Sequence, residues 1–252
     1  MHWLQYFQHN RDHRLPIHWD YQMYLSKAIR KHFIRSIQKF QIGESGEGRH
    51  LRARAAGTGD PDYIASIDLF IREEQEHARL MAKMLDGLGA PLLKSHWSDV
   101  CFIALRRLFG LKEELLVLLV PEMIAKRYFK ALHDGIPCEP MRQVFAQICH
   151  DEEGHVAFHV DYLNQFHSHL QFHQRLIIQV LWRCIFRGAC LVVLFDHGKL
   201  LREVGVKPFA FWDDCGRIFD EAAAGIFTPP KLLRNPIEQL RSSAASLGTA
   251  AK

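Results

Sequence analysis

The chain has 252 residues, 48% of them apolar, and a formal net charge of +4. That is enough apolar content for a sizeable core, in one large domain or two small ones. The basic excess is too dispersed for the concentrated face that nucleic acid binding requires.

Six cysteines (Cys101, Cys138, Cys149, Cys184, Cys190 and Cys215) never form Cys-x-x-Cys. They read as reduced cytosolic thiols, not as a zinc site or a disulfide framework. Met1-His-Trp-Leu-Gln lacks the apolar run of a signal peptide, so a cytoplasmic protein is expected.

Apolar residues at threes and fours predict a helix over residues 20–56, ending at Gly57-Thr-Gly59. Asp60-Pro61 then supplies an N-cap and a proline in the first turn of a second helix, which Gly89-Ala-Pro91 stops after Leu88. Residues 92–110 form a crossover, with a short helix from Ser98 to Phe109. A third long helix covers 111–134, and Pro121 should kink it by removing a backbone hydrogen bond. Gly135-Ile-Pro137-Cys-Glu-Pro140 is a turn, and a fourth helix follows to Leu170. A fifth runs from Phe172 to Glu203, and residues 208–226 add a short one.

Leu176 to Leu194 is the most apolar stretch, but Arg183 and Arg187 interrupt it, so it falls short of the ~18 uninterrupted apolar residues of a membrane span. It reads as a bundle helix packed on the core; peripheral contact with a membrane is the less favoured reading. The tail after Pro229-Pro230 is expected to be at least partly disordered. The chain is thus expected to be all-α. Residues 1–228 form one helical domain, with a core bundle at 20–170 and extra helices at 172–226. Residues 229–252 are a flexible tail.

Two Glu-x-x-His pairs carry the chemistry: Glu74-Gln-Glu-His77 and Glu152-Glu-Gly-His155. Each has a glutamate thirty residues upstream, Glu44 and Glu122. Glu and His three apart share a helix face. The midpoint of Glu44 and Glu74 is residue 59, and that of Glu122 and Glu152 is residue 137. Both midpoints fall in turns placed from glycine and proline alone. Fifteen residues at helical rise put each carboxylate roughly 22 Å from its turn, so each hairpin brings its two glutamates side by side. The motif by itself is weak. With 14 Glu and 16 His, chance supplies about one copy, and a third, Glu47-Gly-Arg-His50, lacks an upstream partner. The paired spacing is what points to a two-metal site.

At these residues, over 20–170, the chain resembles the ferritin-like carboxylate di-iron proteins, whose motif is Glu, then Glu-x-x-His, twice. The resemblance implies a ferritin-like four-helix bundle with a long crossover. It also implies that Glu44, Glu74, His77, Glu122, Glu152 and His155 bind metal, with Glu74 and Glu152 as bridging carboxylates. Glu73 and Asp151 directly precede the motif glutamates. In the bacterial multicomponent monooxygenases, acidic residues so placed hydrogen-bond the ligand histidine of the opposite helix; the alternative is a solvated surface charge, as good a reading for Glu73 and the less favoured one for Asp151. His159, one turn beyond His155, is a supporting residue, a pocket lining or a core histidine. Tyr63 and Tyr128 read as core.

The cofactor expected from the resemblance is a pair of Fe ions, with Mn or a mixed Fe/Mn pair compatible, and O2 as co-substrate. The expected function is oxidation or hydroxylation of a small, largely apolar molecule that the C-terminal helices wall in. The alternatives are iron handling or peroxide removal, as in ferritins and rubrerythrins, and a metal-binding bundle without turnover. An electron-donor protein is expected as partner, a homodimer is compatible, and nucleic acid is not expected.

Overall fold

The computed structural model describes residues 2–97 and 111–229. Every regular element there is a helix: α1 (Trp3–Asp12), α2 (Lys27–Glu44), α3 (Arg49–Ala56), α4 (Pro61–Gly87), α5 (Leu111–Gly135), α6 (Glu139–His167), α7 (Phe172–Glu203) and α8 (Pro208–Phe227). The short helix expected from Ser98 to Phe109 and the tail beyond Pro229 lie outside the described residues.

Two antiparallel pairings build the core. α2 packs along α4, and α5 along α6, while α4 and α6 face each other. The apolar positions explain this. Ile67, Phe70, Ile71, Met81 and Met84 of α4, and Leu115, Leu119, Met123 and Phe129 of α5, recur at helical spacing and are buried. Asp60 caps α4 by accepting hydrogen bonds from the Asp62 and Tyr63 amides at 3.0 and 3.1 Å. α5 runs unbroken through Pro121. At its end Gly135 admits the backbone of Val204, whose oxygen lies 2.6 Å from where a Cβ would stand.

Three features depart from the expected layout. The helix predicted over 20–56 is two helices with a break at residues 45–48, and residues 20–26 are not helical. Gly48 explains the break. It adopts φ 64°, and any Cβ there would meet the Ile71 side chain at 2.6–2.8 Å. Glu44 is therefore the last residue of α2 instead of lying deep within a continuous hairpin. The second departure is α1, which places Trp3, Phe7 and Asn10 on one face against the core.

The third is α7. It is long and apolar enough to cross a membrane by length and composition, yet only 17% of its most apolar window is buried. It packs on α5, α2 and α8 with one face only. Trp182, Phe186, Cys190, Leu200 and Leu201 point inward.

Candidate metal centre

Four elements converge on one buried point. α2 brings Glu44, α4 brings Glu74 and His77, α5 brings Glu122, and α6 brings Glu152 and His155. Ligand atoms of Glu74, Glu122, Glu152 and His155 all lie within 4.8 Å of one another, a group that can hold a metal ion. His155 Nδ1 is 2.9 Å from Glu74, 3.5 Å from Glu122 and 3.9 Å from Glu152. His77 flanks the group, with Nδ1 3.7 Å from Glu74 and 3.8 Å from Glu152. Glu44 lies against Glu74.

The other nitrogen of each histidine is tied across the α4–α6 interface. His155 Nε2 donates to Glu73 of α4 at 2.9 Å, and His77 Nε2 donates to Asp151 of α6 at 2.8 Å. Both carboxylates are buried, so neither is a solvated charge. Donating Nε2–H turns both Nδ1 atoms toward the carboxylate group.

A further layer left no mark in the motif. Asn10 donates to Glu73 and Asp151 at 2.7 and 2.8 Å, joining the two carboxylates. Arg14 makes a two-pronged pair with Asp151 at 2.8 and 2.7 Å, and Gln147 adds a bond at 2.8 Å. Gln147 in turn accepts from the Leu15 amide at 2.6 Å, fixing the segment after α1. Gly154, inside the second Glu-x-x-His, lets α1 approach: a Cβ there would collide with the Tyr6 ring and hydroxyl.

His159 is fully buried beside Phe70 (ring centroids 4.9 Å apart), and neither of its nitrogens has a hydrogen-bond partner. Burial and the nearby His155 push it down to about 3, so it is neutral. The third Glu-x-x-His has no part in the centre. Glu47 pairs with Arg49, and His50 faces Glu114 at 2.9 Å. Tyr128 is core, bonded to Ser36.

The donor set fits a cation. Glu74 Oε1, both Glu152 oxygens and both Nδ1 atoms are buried without a hydrogen-bond partner. Each such group costs about 1–3 kcal/mol unless something pairs with it. Protons take up part of that role in the metal-free chain. Burial, then the Glu74 charge, raises Glu44 and Glu122; burial, then Glu122 and Glu74, raises Glu152. Burial works against charge on His155 but is outweighed by Glu74, Glu122 and Glu73, which hold its pKa well up. Burial works to raise Glu74 too, but Glu44 and His155 outweigh it and hold it at about 2.

These shifts set the pH response of the metal-free fold. Glu44, Glu122, Glu152 and His155 bind protons more tightly folded than unfolded. Their contribution is complete below their unfolded values and is lost as the pH rises through the folded ones. Glu74 and Asp151 are held low, and their contribution is lost only as the pH falls through their folded values. Thermal melts of chelated protein should therefore peak at about pH 4 and fall toward about pH 9. A melting temperature that stays level or rises over that range contradicts the burial of these groups.

Beside the centre is a cavity of about 630 Å³. Glu44, Glu74 and Glu122 form part of its wall, and Phe70, Ile71, Leu118, Ile124, Ile185 and Val192 line it with apolar surface. Lys39, paired with Asp196 at 2.7 Å, and His197 add polar groups. No protein-family model, curated protein or solved structure matches this chain.

Proposed function

We propose that the chain is a ferritin-like, non-haem di-iron oxidoreductase that uses O2 to oxidise or hydroxylate a small, largely apolar molecule. The observation that carries this reading is the apolar cavity whose wall includes Glu44, Glu74 and Glu122. A storage or purely structural metal site has no need of such a chamber.

In this reading α2, α4, α5 and α6 are the four helices of the bundle, with the crossover between α4 and α5. Glu44, Glu74 and His77 would hold one iron, and Glu122, Glu152 and His155 the other, with Glu74 and Glu152 bridging. Four carboxylates balance the charge of two divalent ions. The bound irons would supply the reduction of O2 and the oxidation of the substrate.

The chain's own residues do the rest. Glu73 and Asp151 fix the imidazole tautomers, and Asn10 and Arg14 hold those two carboxylates in place. Phe70, Ile71, Leu118 and Ile124 give an apolar molecule its contact surface beside the carboxylates. An electron-donor protein completes the scheme.

The test loads the protein anaerobically with ferrous iron and then supplies ¹⁸O2, with toluene and n-decanal as apolar probes. Faster O2 uptake with a probe, and ¹⁸O in the product, are expected. Ala189→Trp, which fills the cavity wall, should slow probe oxidation by about tenfold or more with iron loading unchanged. O2 uptake indifferent to every probe, with many irons accumulating per chain, would point to storage and overturn the reading.

A further inference from the structure

We propose that the outer face of α7 seats the protein on an anionic lipid bilayer. Ile177 (58% exposed), Val180 (52%), Leu181 (61%), Leu191 (58%) and Phe195 (85%) follow one another at helical spacing on that face. The exposed Cys184 and Gly188 fill the gaps between them. The stripe runs about 27 Å along the helix. Water-facing helices alternate such residues with charge; here no acidic residue interrupts the stripe from Ile177 to Phe195.

The inner face of α7 is committed elsewhere. Trp182 donates to the Leu116 carbonyl at 2.7 Å, and Phe186 packs on Phe219 with centroids 4.8 Å apart. The helix can neither turn its apolar stripe inward nor leave the core to span a membrane, so it lies along the surface with the stripe outward.

Charge selects the occupant. Lys199 and Arg202 continue the same face past Phe195, both exposed, and the exposed Lys207 and Phe209 follow. In a symmetric pairing of two copies, an antiparallel α7 would set Lys199 and Arg202 opposite His173, with no carboxylate to meet them. A parallel one would set them against their own copies, with the exposed Glu203 of each copy as the one carboxylate set against four cations. Phosphate headgroups at the rim of an apolar layer satisfy both the cations and the stripe. The opposite side of the same helix lines the cavity through Ile185, Ala189, Val192 and Val193. One helix therefore separates the cavity from the bilayer. The attachment stands apart from the oxygen chemistry and does not depend on it.

The test is flotation of the full chain with vesicles of phosphatidylcholine alone and of phosphatidylcholine mixed with phosphatidylglycerol. The chain should float with the mixed vesicles, less so as salt is raised. Leu181→Glu with Leu191→Glu should weaken binding at least about tenfold with helicity by circular dichroism unchanged. Lys199→Glu with Arg202→Glu should lower binding to the mixed vesicles by about tenfold and leave binding to neutral ones unchanged. No flotation with either vesicle overturns the proposal. So does a dimer in sedimentation that Leu191→Glu dissociates while vesicles are ignored.

Discussion

Glu152→Gln is expected to abolish the paired metal site and, at the same time, to make the metal-free protein more stable at alkaline pH. Glu152 is almost wholly buried, with both oxygens unpartnered beside Glu74, Glu122 and His155. Burial and the neighbouring carboxylates raise its pKa, so the chelated fold must keep it protonated or bear a further buried negative charge. Glutamine keeps the shape and removes that demand. At about pH 4 and below the variant and the parent should melt together. At about pH 8–9 the chelated variant should be more stable by about 1–3 kcal/mol. Metal reverses the order. A ligand present at about a hundred times its dissociation constant stabilises by about 2.7 kcal/mol, and the variant should lose most of this gain. Two metals retained per chain in the variant, measured by plasma emission after gel filtration, would show that Glu152 is not a ligand.

The second large effect belongs to Asp151→Ala. Asp151 is fully buried and accepts five hydrogen bonds: two from Arg14 and one each from Asn10, Gln147 and His77. Burial opposes its charge, but His77 and Arg14 outweigh that and hold it ionised. Removing it leaves the Arg14 guanidinium facing a buried gap and strands three polar groups, a loss of about 3–5 kcal/mol in chemical denaturation. His77 also loses the bond that sets its tautomer, so metal affinity should fall about 10–100-fold in the fraction that remains folded. Asp151→Asn separates the two effects. It keeps the shape and one acceptor, so it should recover much of the stability while metal affinity stays low. If Asp151→Ala unfolds at the parent's denaturant midpoint, the polar network beneath α1 does not hold the fold.

Much of this architecture is legible from residues whose local physics is decisive. Asp60-Pro61 and Gly89-Ala-Pro91 bound α4 because capping and proline geometry act over a few residues. The thirty-residue intervals locate the carboxylates because α5 and α6 do form an antiparallel pair about residues 136–138. The first interval works less directly. α2 stops at Glu44, and Gly48 with its positive φ breaks the chain there, yet Glu44 still lies against Glu74. Gly43, Gly46 and Gly48 weaken a helix locally, but where it ends depends on Ile71, a contact the local sequence does not encode.

The Asn10 and Arg14 contacts were illegible for the same reason. They span 141 and 137 residues to Asp151, and nothing near Asn10 announces a partner. A buried Asp beside a histidine must find donors, and that demand is the one signal that could have prompted a search. α7 misled differently. A helix apolar on both faces reads as core, and only its packing shows which face the described residues leave uncovered.

The central claim is that these six side chains hold two metal ions. The most direct test is the metal content per chain after anaerobic reconstitution with ferrous iron and removal of excess by gel filtration. About two irons per chain is the predicted value. Fewer than about 0.3 per chain, in protein whose circular dichroism shows the helices intact, would contradict it.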